Sequence, residues 1–344
     1  MKDPAFRTLA FEVVSVKSRI LCCVLVFSLL LCPVDAAEKK KDYIKWVDFD
    51  VSYEALRRAL DTDIASRDTE RPLSMVELLA VAAARKGGKN LTPAAVDQAA
   101  RDLRSDKSPE EFLGELYKYY AYYKEAYGAA LGGLVGSYAI QVRDENGAPY
   151  WKPDYGLKAF SPIAAGWGYS DCDDFGVGRS YGFRRKHLGH DMMGAAGTPI
   201  MAVEGGTVEA MGWNQYGGWR VGIRSYDRKR YYYYAHLQKD RPFAPGLQEG
   251  SEVQAGDLIG FMGRTGYSTQ ENVCNIEVNH LHFGLQLIFD ESQKECNSEI
   301  WIDVYAICRL LSTHRCTLRR GENGENWVRA YPYRDLDRED PGGA

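Results

Sequence analysis

Four of the chain's six histidines lie in two short clusters that are far apart in the sequence. His187 and His190 precede Asp191, and His280 and His282 alternate around one leucine. On a β-strand, alternate side chains share a face, so His280 and His282 point to the same side. His187 and Asp191 need only one more ligand to hold a metal ion. The clusters therefore favour folds that bring these two distant segments together.

Composition limits the class of protein. The chain has 344 residues, of which 45% are hydrophobic and 12% aromatic, so it can bury a sizeable core and is long enough for about two domains. Its net charge is -4 and its pI is near 6.0. A nucleic-acid-binding protein normally carries a basic patch or stripe, so we expect no nucleic-acid partner.

The first segment predicts export. Basic residues precede an apolar run over 20–32, and small residues before Ala37 offer a cleavage point, so residues 1–36 are predicted to be a signal peptide. The run is shorter than the roughly 20 residues of a membrane span, and an uncleaved short anchor is the alternative. We expect an extracellular, cell-wall or periplasmic location, with membrane contact only through this segment.

Five cysteines remain after the predicted signal: Cys172, Cys274, Cys296, Cys308 and Cys316. Their number is odd and none forms a CxxC pair, which argues against a cysteine-based zinc site. Pairs between Cys308 and Cys316 or between Cys274 and Cys296 are one interpretation, and free thiols are the other.

Residues 37–140 are predicted to form a helical N-terminal domain. Hydroxyl N-caps, two of them followed by proline, and a Gly87-Gly88 stop predict four helices, over 53–64, 75–86, 93–103 and 109–127. The last of these carries six tyrosines. Their pattern favours a domain interface, and a sugar-stacking surface is the alternative.

The later part of the chain changes in character. Residues 141–170 are rich in glycine, proline and aromatic residues and predict an irregular linker or docking segment. Residues 171–315 hold short β-branched and aromatic runs divided by glycine turns, which predict a mostly antiparallel β domain with strands near 198–203, 206–211, 219–225, 231–236 and 258–262. Residues 316–344 predict a charged C-terminal tail with a disordered end. The predicted fold class is α+β.

The histidines suggest metal-assisted hydrolysis. A zinc hydrolase needs three protein ligands and an open position for water, whose pKa the metal lowers to about 7. His187, Asp191 and His282 supply two nitrogens and one oxygen. His236 and His280 remain as candidates for moving a proton or stabilising an oxyanion. Satisfied core histidines are the alternative, which their clustering disfavours.

The motifs also occur in a recognisable order. They are His187-x-Gly189-x-Asp191, Tyr234-Ala235-His236-Leu237, the turn over 263–268, and His280-Leu281-His282-Phe283. This order resembles the lysostaphin-like (LytM-type) zinc endopeptidases of bacterial cell walls, and a clostridial-type subgroup with a helical N-terminal region is the most similar.

The resemblance implies a function. It implies one zinc ion (Zn2+) per chain on His187, Asp191 and His282, with His280 as general base and His236 helping to position water and to stabilise the tetrahedral intermediate. The expected activity is hydrolysis of peptide bonds in peptidoglycan, in stem or cross-bridge. A catalytically silent relative, acting as a peptidoglycan-binding scaffold or as an activator of other wall hydrolases, is the alternative.

Several details of the site can also be predicted. Gly189 is expected to let the backbone turn between two ligands, and His190 to be a surface residue or a supporter of a ligand. Residues 270–279 lengthen the link before His280 relative to the family. This insertion and the basic stretch 184–186 are expected to flank the groove.

Overall fold

The computed structural model describes residues 42–338 apart from Gly182, 295–297, Asn323 and Glu325. The predicted signal segment and the last residues of the predicted tail lie outside this part of the chain. Among the described residues, no helix is long and apolar enough to cross a membrane.

Six α-helices are present in this part of the chain: α1 (Tyr53–Ser66), α2 (Met75–Lys86), α3 (Pro93–Leu103), α4 (Pro109–Leu113), α5 (Tyr117–Leu131) and α6 (Tyr305–Leu311). Short 3-10 turns occupy Gly114–Leu116 and Glu291–Gln293.

The predicted caps begin and end these helices. Ser52, Thr92 and Ser108 each accept a hydrogen bond from the backbone of the first turn, and Gly87 ends α2 in the left-handed conformation. The single helix predicted over 109–127 is wrong in one respect. Gly114, at φ +55°, interrupts it and separates α4 from α5.

The described residues also form seventeen strands: β1 (Val135–Arg143), β2 (Pro149–Leu157), β3 (Tyr169–Asp171), β4 (Gly178–Tyr181), β5 (Phe183–Lys186), β6 (His190–Gly194), β7 (Pro199–Met201), β8 (Gly206–Asn214), β9 (Gly218–Ser225), β10 (Arg230–Ala235), β11 (Glu252–Val253), β12 (Leu258–Phe261), β13 (His280–Leu287), β14 (Ile300–Trp301), β15 (Leu318–Arg320), β16 (Trp327–Arg329) and β17 (Tyr333–Asp335). A helical N-terminal region thus precedes an antiparallel β-sheet region, which confirms the α+β prediction.

The largest sheet has eight strands. Its order is β11-β8-β9-β10-β13-β6-β3, with β14 paired to β13, and every pairing is antiparallel. The nearly continuous tyrosines of β10 alternate between its two faces. Tyr232 and Tyr234 join Phe283 and Leu285 in the core, while Tyr231 and Tyr233 line a cleft on the other face.

The predicted irregular linker, 141–170, is wrong for its first half. Strands β1 and β2 form a long hairpin there, because the Asp144 side chain accepts bonds from the backbone of Asn146 and Ala148 and closes the turn. Much of the predicted tail is also ordered. Strand β17 pairs with β1, and Lys158 binds Asp335 and Asp337 at 2.8 Å each.

Tyr43–Ala344 forms one compact unit. A single hydrophobic cluster contains residues of the helices and of the main sheet, and Tyr120 and Tyr127 of α5 lie within it. Tyr117 and Tyr119 remain exposed. Cys172, Cys274, Cys308 and Cys316 are free thiols, so the proposed pair between Cys308 and Cys316 is not formed. Cys296, the proposed partner of Cys274, lies outside the described residues. The predicted domain boundaries stay a prediction.

Candidate metal centre

Three neighbouring strands bring the predicted site residues together. Asp191 lies on β6 directly opposite His282 on β13, and His282 lies opposite Ala235 on β10. His236 follows β10 at once, and His187 follows β5. All five predicted site residues line one cleft.

The three predicted ligands converge on one point. The distance from His187 Nε2 to Asp191 Oδ1 is 3.0 Å, that from His282 Nδ1 to Asp191 Oδ1 is 3.0 Å, and that between the two ring nitrogens is 2.9 Å. Ligand atoms at roughly 2.0–2.1 Å from a tetrahedral zinc ion are separated by roughly 3.3 Å. The three ligand atoms are therefore slightly closer together than around a zinc ion, but their separations are close to those expected for ligands that share one metal ion.

Neighbouring groups orient these ligands. The Nδ1–H of His187 donates to the carbonyl of Asp174 at 3.2 Å, which leaves Nε2 with a lone pair toward the site. Arg179 donates to Asp191 Oδ2 at 3.3 Å and also binds the Asp174 carboxylate. The second oxygen of Asp191 is thus held, and Oδ1 faces the histidines. Such support fixes the direction of a metal ligand.

The electrostatics favour an ionised Asp191. Burial raises its pKa, but the bonds from His187 and His282 and the nearby ring charges outweigh burial and lower the pKa well below its ordinary range. Burial lowers the pKa of His187, but its bond to Asp191 and the charges of Asp191 and Asp174 together outweigh burial and raise the pKa. For His282 burial dominates and lowers the pKa. A carboxylate and two imidazoles suit zinc.

Gly189 is required for a different reason from the one predicted. The backbone bends at Gly189, but its φ is not positive, so the bend by itself does not need glycine. A Cβ at Gly189 would lie 2.5 Å from His282 Cε1 and 2.8 Å from the carbonyl oxygen of Phe283. Real Cβ contacts are not that short, so the missing side chain lets the His282 ring sit against the backbone of the first cluster.

His236 and His280 lie beside the ligand triangle. Their ring centroids are 4.8 Å apart, and His280 Nε2 is 3.8 Å from Asp191 Oδ1. The Nδ1–H of His236 donates to the carbonyl of Thr265 at 3.0 Å, and that of His280 to the carbonyl of Val278 at 2.9 Å. Both rings therefore keep an unprotonated Nε2 when they are neutral.

The backbone of His236 is in an unfavourable conformation. Its φ is +62°, a region in which non-glycine residues cost of order 1–3 kcal/mol. Two backbone bonds hold it there, from His236 N to Gly217 O at 2.7 Å and from Gly263 N to His236 O at 3.1 Å. Burial lowers the pKa of His236 well below its ordinary value, and the neighbouring rings of His280 and His282 add to this effect.

His190 takes no part in the triangle, as predicted, but it is not on the surface. It points to the opposite side of β6, where its Nε2 lies 3.2 Å from Asp171 Oδ2 and its ring packs against Tyr305. The side chain is buried. Strand alternation separates it from Asp191.

The cleft has a volume of about 750 Å³. Arg185 and Lys186 of the predicted flanking stretch line it, and Arg184 does not. The insertion 270–279 contributes no residue to the lining, but it lies beside the cleft, because Asn275 donates to the carbonyl of Tyr267 at 2.9 Å. Arg264 donates to the carbonyl of Ile276 at 2.8 Å and Trp219 donates to Asn272 at 2.9 Å, and both bonds hold the insertion in place. Its end still orients His280 through Val278.

Sequence reasoning missed several residues of the site. Asp174, Arg179 and Thr265 support ligands or histidines, and Tyr233 and Arg220 line the cleft. Only Thr265, within the turn 263–268, was part of a recognised motif. Asp174 and Arg179 stand in a glycine-containing loop and hairpin with no distinctive spacing, so only their contacts identify them.

Comparisons with known proteins agree with this geometry. Residues 185–295 match the profile of "Peptidase family M23". The chain is 38% identical over 136 residues to an L-Ala--D-Glu endopeptidase of Bacillus subtilis, which covers 40% of each chain. It is 36% identical over 98 residues to the glycyl-glycine endopeptidase ALE-1 of Staphylococcus capitis, covering 28% of this chain and 24% of that protein.

One similar solved structure is a LytM protein of Ruminococcus gnavus, with a TM-score of 0.49, 23% identity and coverage of 79% of this chain and 93% of that one. The matches to the Bacillus subtilis and Staphylococcus capitis proteins cover less than half of the length of either relative. The matched segment contains all five predicted site residues. Residues 185–295 are therefore similar to the peptidase M23 family, which confirms the resemblance to lysostaphin-like, LytM-type peptidases.

Proposed function

We propose that this chain is an exported, zinc-dependent endopeptidase that hydrolyses peptide bonds in peptidoglycan. The proposal rests mainly on one observation. Three metal-ligating atoms of His187, Asp191 and His282 lie about 3 Å apart, in an open cleft, with two further histidines beside them.

The proposed ligands fit zinc in chemistry as well as in distance. Two imidazole nitrogens and one carboxylate oxygen form a known three-ligand zinc set. When bound, zinc acts as a Lewis acid and makes a coordinated water more acidic. Arg179 and Asp174 keep Asp191 and His187 directed toward it. Gly189 leaves the space that His282 needs.

His280 is the proposed general base. Its Nδ1–H is committed to the carbonyl of Val278, so Nε2 accepts a proton from the water that attacks the peptide carbonyl carbon. As the carbon–nitrogen bond breaks, the same nitrogen returns the proton to the departing amine. The 3.8 Å separation between His280 Nε2 and Asp191 Oδ1 supports this role, because it keeps Nε2 beside the proposed ligands.

His236 is proposed to position the water. Its Nδ1–H is committed to Thr265, and burial keeps the ring neutral, so Nε2 is an acceptor and not a donor. An acceptor orients an O–H of water toward itself and directs a lone pair at the carbonyl carbon. A neutral His236 with this tautomer does not donate to an oxyanion, which assigns it to water positioning.

The proposed substrate class rests on the relatives. One is named for an L-Ala–D-Glu bond and another for glycyl-glycine bonds, so in both names the peptide bond follows a small residue. We extend this class, as stem or cross-bridge peptides of peptidoglycan, to the present chain. Export through the segment 1–36, and a helical domain (37–140) ahead of the β peptidase domain (171–315), are parts of the same proposal.

Purified peptidoglycan provides the test. We expect the mature protein to release new free amino groups, and mass spectrometry of the products to identify the cleaved bond. Asp191→Ala is expected to abolish this release. His314→Gln is the matched control, because His314 binds the carbonyl of Ala159 and does not line the cleft.

Two outcomes would contradict the proposal. If the protein sediments with peptidoglycan without releasing amino groups, it is a binding or activating module. If the purified protein holds no zinc by atomic absorption and gains no activity on adding it, the ligand assignment is wrong.

A further inference from the structure

Three cations on the cleft wall lack an anionic partner. Arg185, Lys186 and Arg220 line the cleft. The side chains of Arg220 and Lys186 make no hydrogen bond or ion pair with any described residue. Arg185 donates to the Tyr267 hydroxyl at 2.8 Å, while its Nη1 is buried without a partner. The charges of all three are therefore uncompensated.

Other arginines near the cleft are paired. Arg224 contacts Glu209 and Glu291, and Arg179 contacts Asp174 and Asp191. These arginines are thus neutralised by carboxylates, in contrast to the three cations of the cleft wall.

Anions are scarce on this wall. The only carboxylates among the described residues that line the cleft are Asp191 and Glu299. Asp191 belongs to the ligand triangle, and Glu299 accepts a bond from Trp301 at 2.8 Å. Neither contacts the three unpaired cations. A ligand with its own negative charge would neutralise these cations.

Tyr233 lines the cleft with the three cations and lies close to the ligand triangle. Burial raises the pKa of Tyr233 to about 12, and the charges of Arg220 and Arg185 act in the opposite direction. The ring of Tyr233 lies edge-on to His282, with centroids 6.0 Å apart. One extended residue spans about 3.5 Å. An anion of the substrate bound beside Tyr233 would therefore belong to a residue roughly one to three positions from the cleaved bond.

The positions of the cations are fixed by the fold. Arg185 lies over the rings of Tyr216 and Tyr267, at 5.3 Å and 5.1 Å from their centroids. Arg220 lies on β9, and the register pairs its neighbour Val221 with Tyr234 and Gly222 with Tyr233. Strand alternation therefore places Arg220 on the cleft face, with Tyr233.

We propose that Arg220, with Arg185 and Lys186, forms a carboxylate-binding subsite that selects peptides with a free carboxylate near the cleaved bond. The ligand is an acidic peptide, and the same peptide with that carboxylate amidated binds less well. Guanidinium groups bind carboxylates through two parallel hydrogen bonds, whereas an amide offers only one acceptor oxygen and no charge. This inference rests on the proposed function, because it names the substrate of the same cleft.

Two peptides that differ only in one group provide the test. One carries glutamate next to the scissile bond and the other carries glutamine. We expect the wild-type protein to prefer the glutamate peptide in kcat/KM by about 10-fold or more, chiefly through KM, since a charge-assisted bond is lost with the amide. The preference should fall as salt is raised, because exposed charges are screened.

Variants of the cations sharpen this test. Arg220→Gln should reduce the ratio of the two kcat/KM values toward 1, and Arg220→Lys should retain part of it. Arg228→Gln is the matched control, since Arg228 is an exposed arginine at the turn between β9 and β10 and pairs with Glu291. This control should keep the wild-type ratio. Equal cleavage of the two peptides by the wild-type protein would overturn the subsite and leave the proposed activity intact.

A binding measurement separates the two proposals. Calorimetry on the zinc-loaded His280→Gln variant measures affinity without turnover. Tighter binding of the glutamate peptide that is lost on adding Arg220→Gln supports the subsite, even if the wild-type protein cleaves neither peptide. Equal binding of the two peptides contradicts it.

Discussion

Arg230 and Arg220 lie on opposite faces of the same sheet and differ in their surroundings. Arg230, at the start of β10, is only 1% exposed. Its guanidinium binds both oxygens of Glu204, at 2.7 Å and 3.1 Å, and Asp227 at 2.8 Å. It also donates to the carbonyl of Ala129 at 2.8 Å, near the end of α5. Arg220 has no such partner among the described residues.

The difference reflects the cost of burying charge. A guanidinium removed from water is tolerated only where carboxylates and carbonyls replace the water, and Arg230 meets this requirement. Arg220 faces an open cleft, where water can solvate it until a ligand arrives. We infer that the core face of the sheet uses its charges to attach the helices, while the cleft face keeps its charges for binding.

The largest expected effect is on the cleft face. His282→Ala removes one of three ligands, and we expect peptide hydrolysis to fall by on the order of 1,000-fold or more, with loss of bound zinc. The fold should survive, because the core contacts of β13 come from its other face. Metal analysis and circular dichroism of the purified variant check this. A variant that retains zinc and activity would remove His282 from the site.

The next largest effect is expected on the core face. Arg230→Met leaves Glu204 buried without its main partner and should lower the free energy of unfolding by about 3–5 kcal/mol. Arg220→Met should change it by no more than about 0.5 kcal/mol, because no contact is lost. Urea denaturation of both variants measures the difference. Similar losses for the two would refute the proposed division between the faces.

Gly189→Ala tests the packing of the ligand triangle. The added Cβ would lie 2.5 Å from His282 Cε1, so the ring has to move away from His187 and Asp191. We expect zinc affinity to fall by about 10-fold to 100-fold, as for other changes that misdirect a ligand. Competition with a chelator measures this affinity. Gly178→Ala is the control, since a Cβ there meets nothing within 4 Å, and unchanged affinity in Gly189→Ala would exclude this steric role.

The smallest expected effect compares two adjacent tyrosines. The Tyr232 hydroxyl donates to Glu204 at 2.6 Å, so Tyr232→Phe should cost about 1–2 kcal/mol of unfolding free energy. Tyr233→Phe, on the cleft face, should cost less than about 0.5 kcal/mol. Thermal or urea unfolding of the pair distinguishes them. A larger loss for Tyr233→Phe would mean that the cleft face also stabilises the fold.

Much of the helical region could be predicted from the sequence. Helices α2 and α3 match their predicted bounds, because local caps such as Thr92 with Pro93 determine where a helix begins. The break at Gly114 was not predicted, since one glycine after Leu113 has no distinctive local signal. The hairpin of β1 and β2 was missed because proline, glycine and exposed aromatic residues obscure its alternation.

The candidate site was predicted in part. The spacing of His280 and His282, and that of His187 and Asp191, indicated a shared metal. The motif order pointed to the family that the match over 185–295 supports. The supporting residues Arg179 and Asp174 could not be found in this way, because their role depends on contacts across a loop and a hairpin. That the insertion 270–279 adjoins the cleft without lining it also depends on such contacts.

By itself, the sequence determined the residue types that can hold a metal, the α+β order of elements and the alternation of β10, since these depend on local spacing and capping. Only the tertiary structure decided that Gly189 makes room for His282, and that Arg230 is neutralised while Arg220 is not. The physical reason is that the burial and pairing of a charge depend on strands and helices that are distant in sequence, and local patterns carry no information about these neighbours.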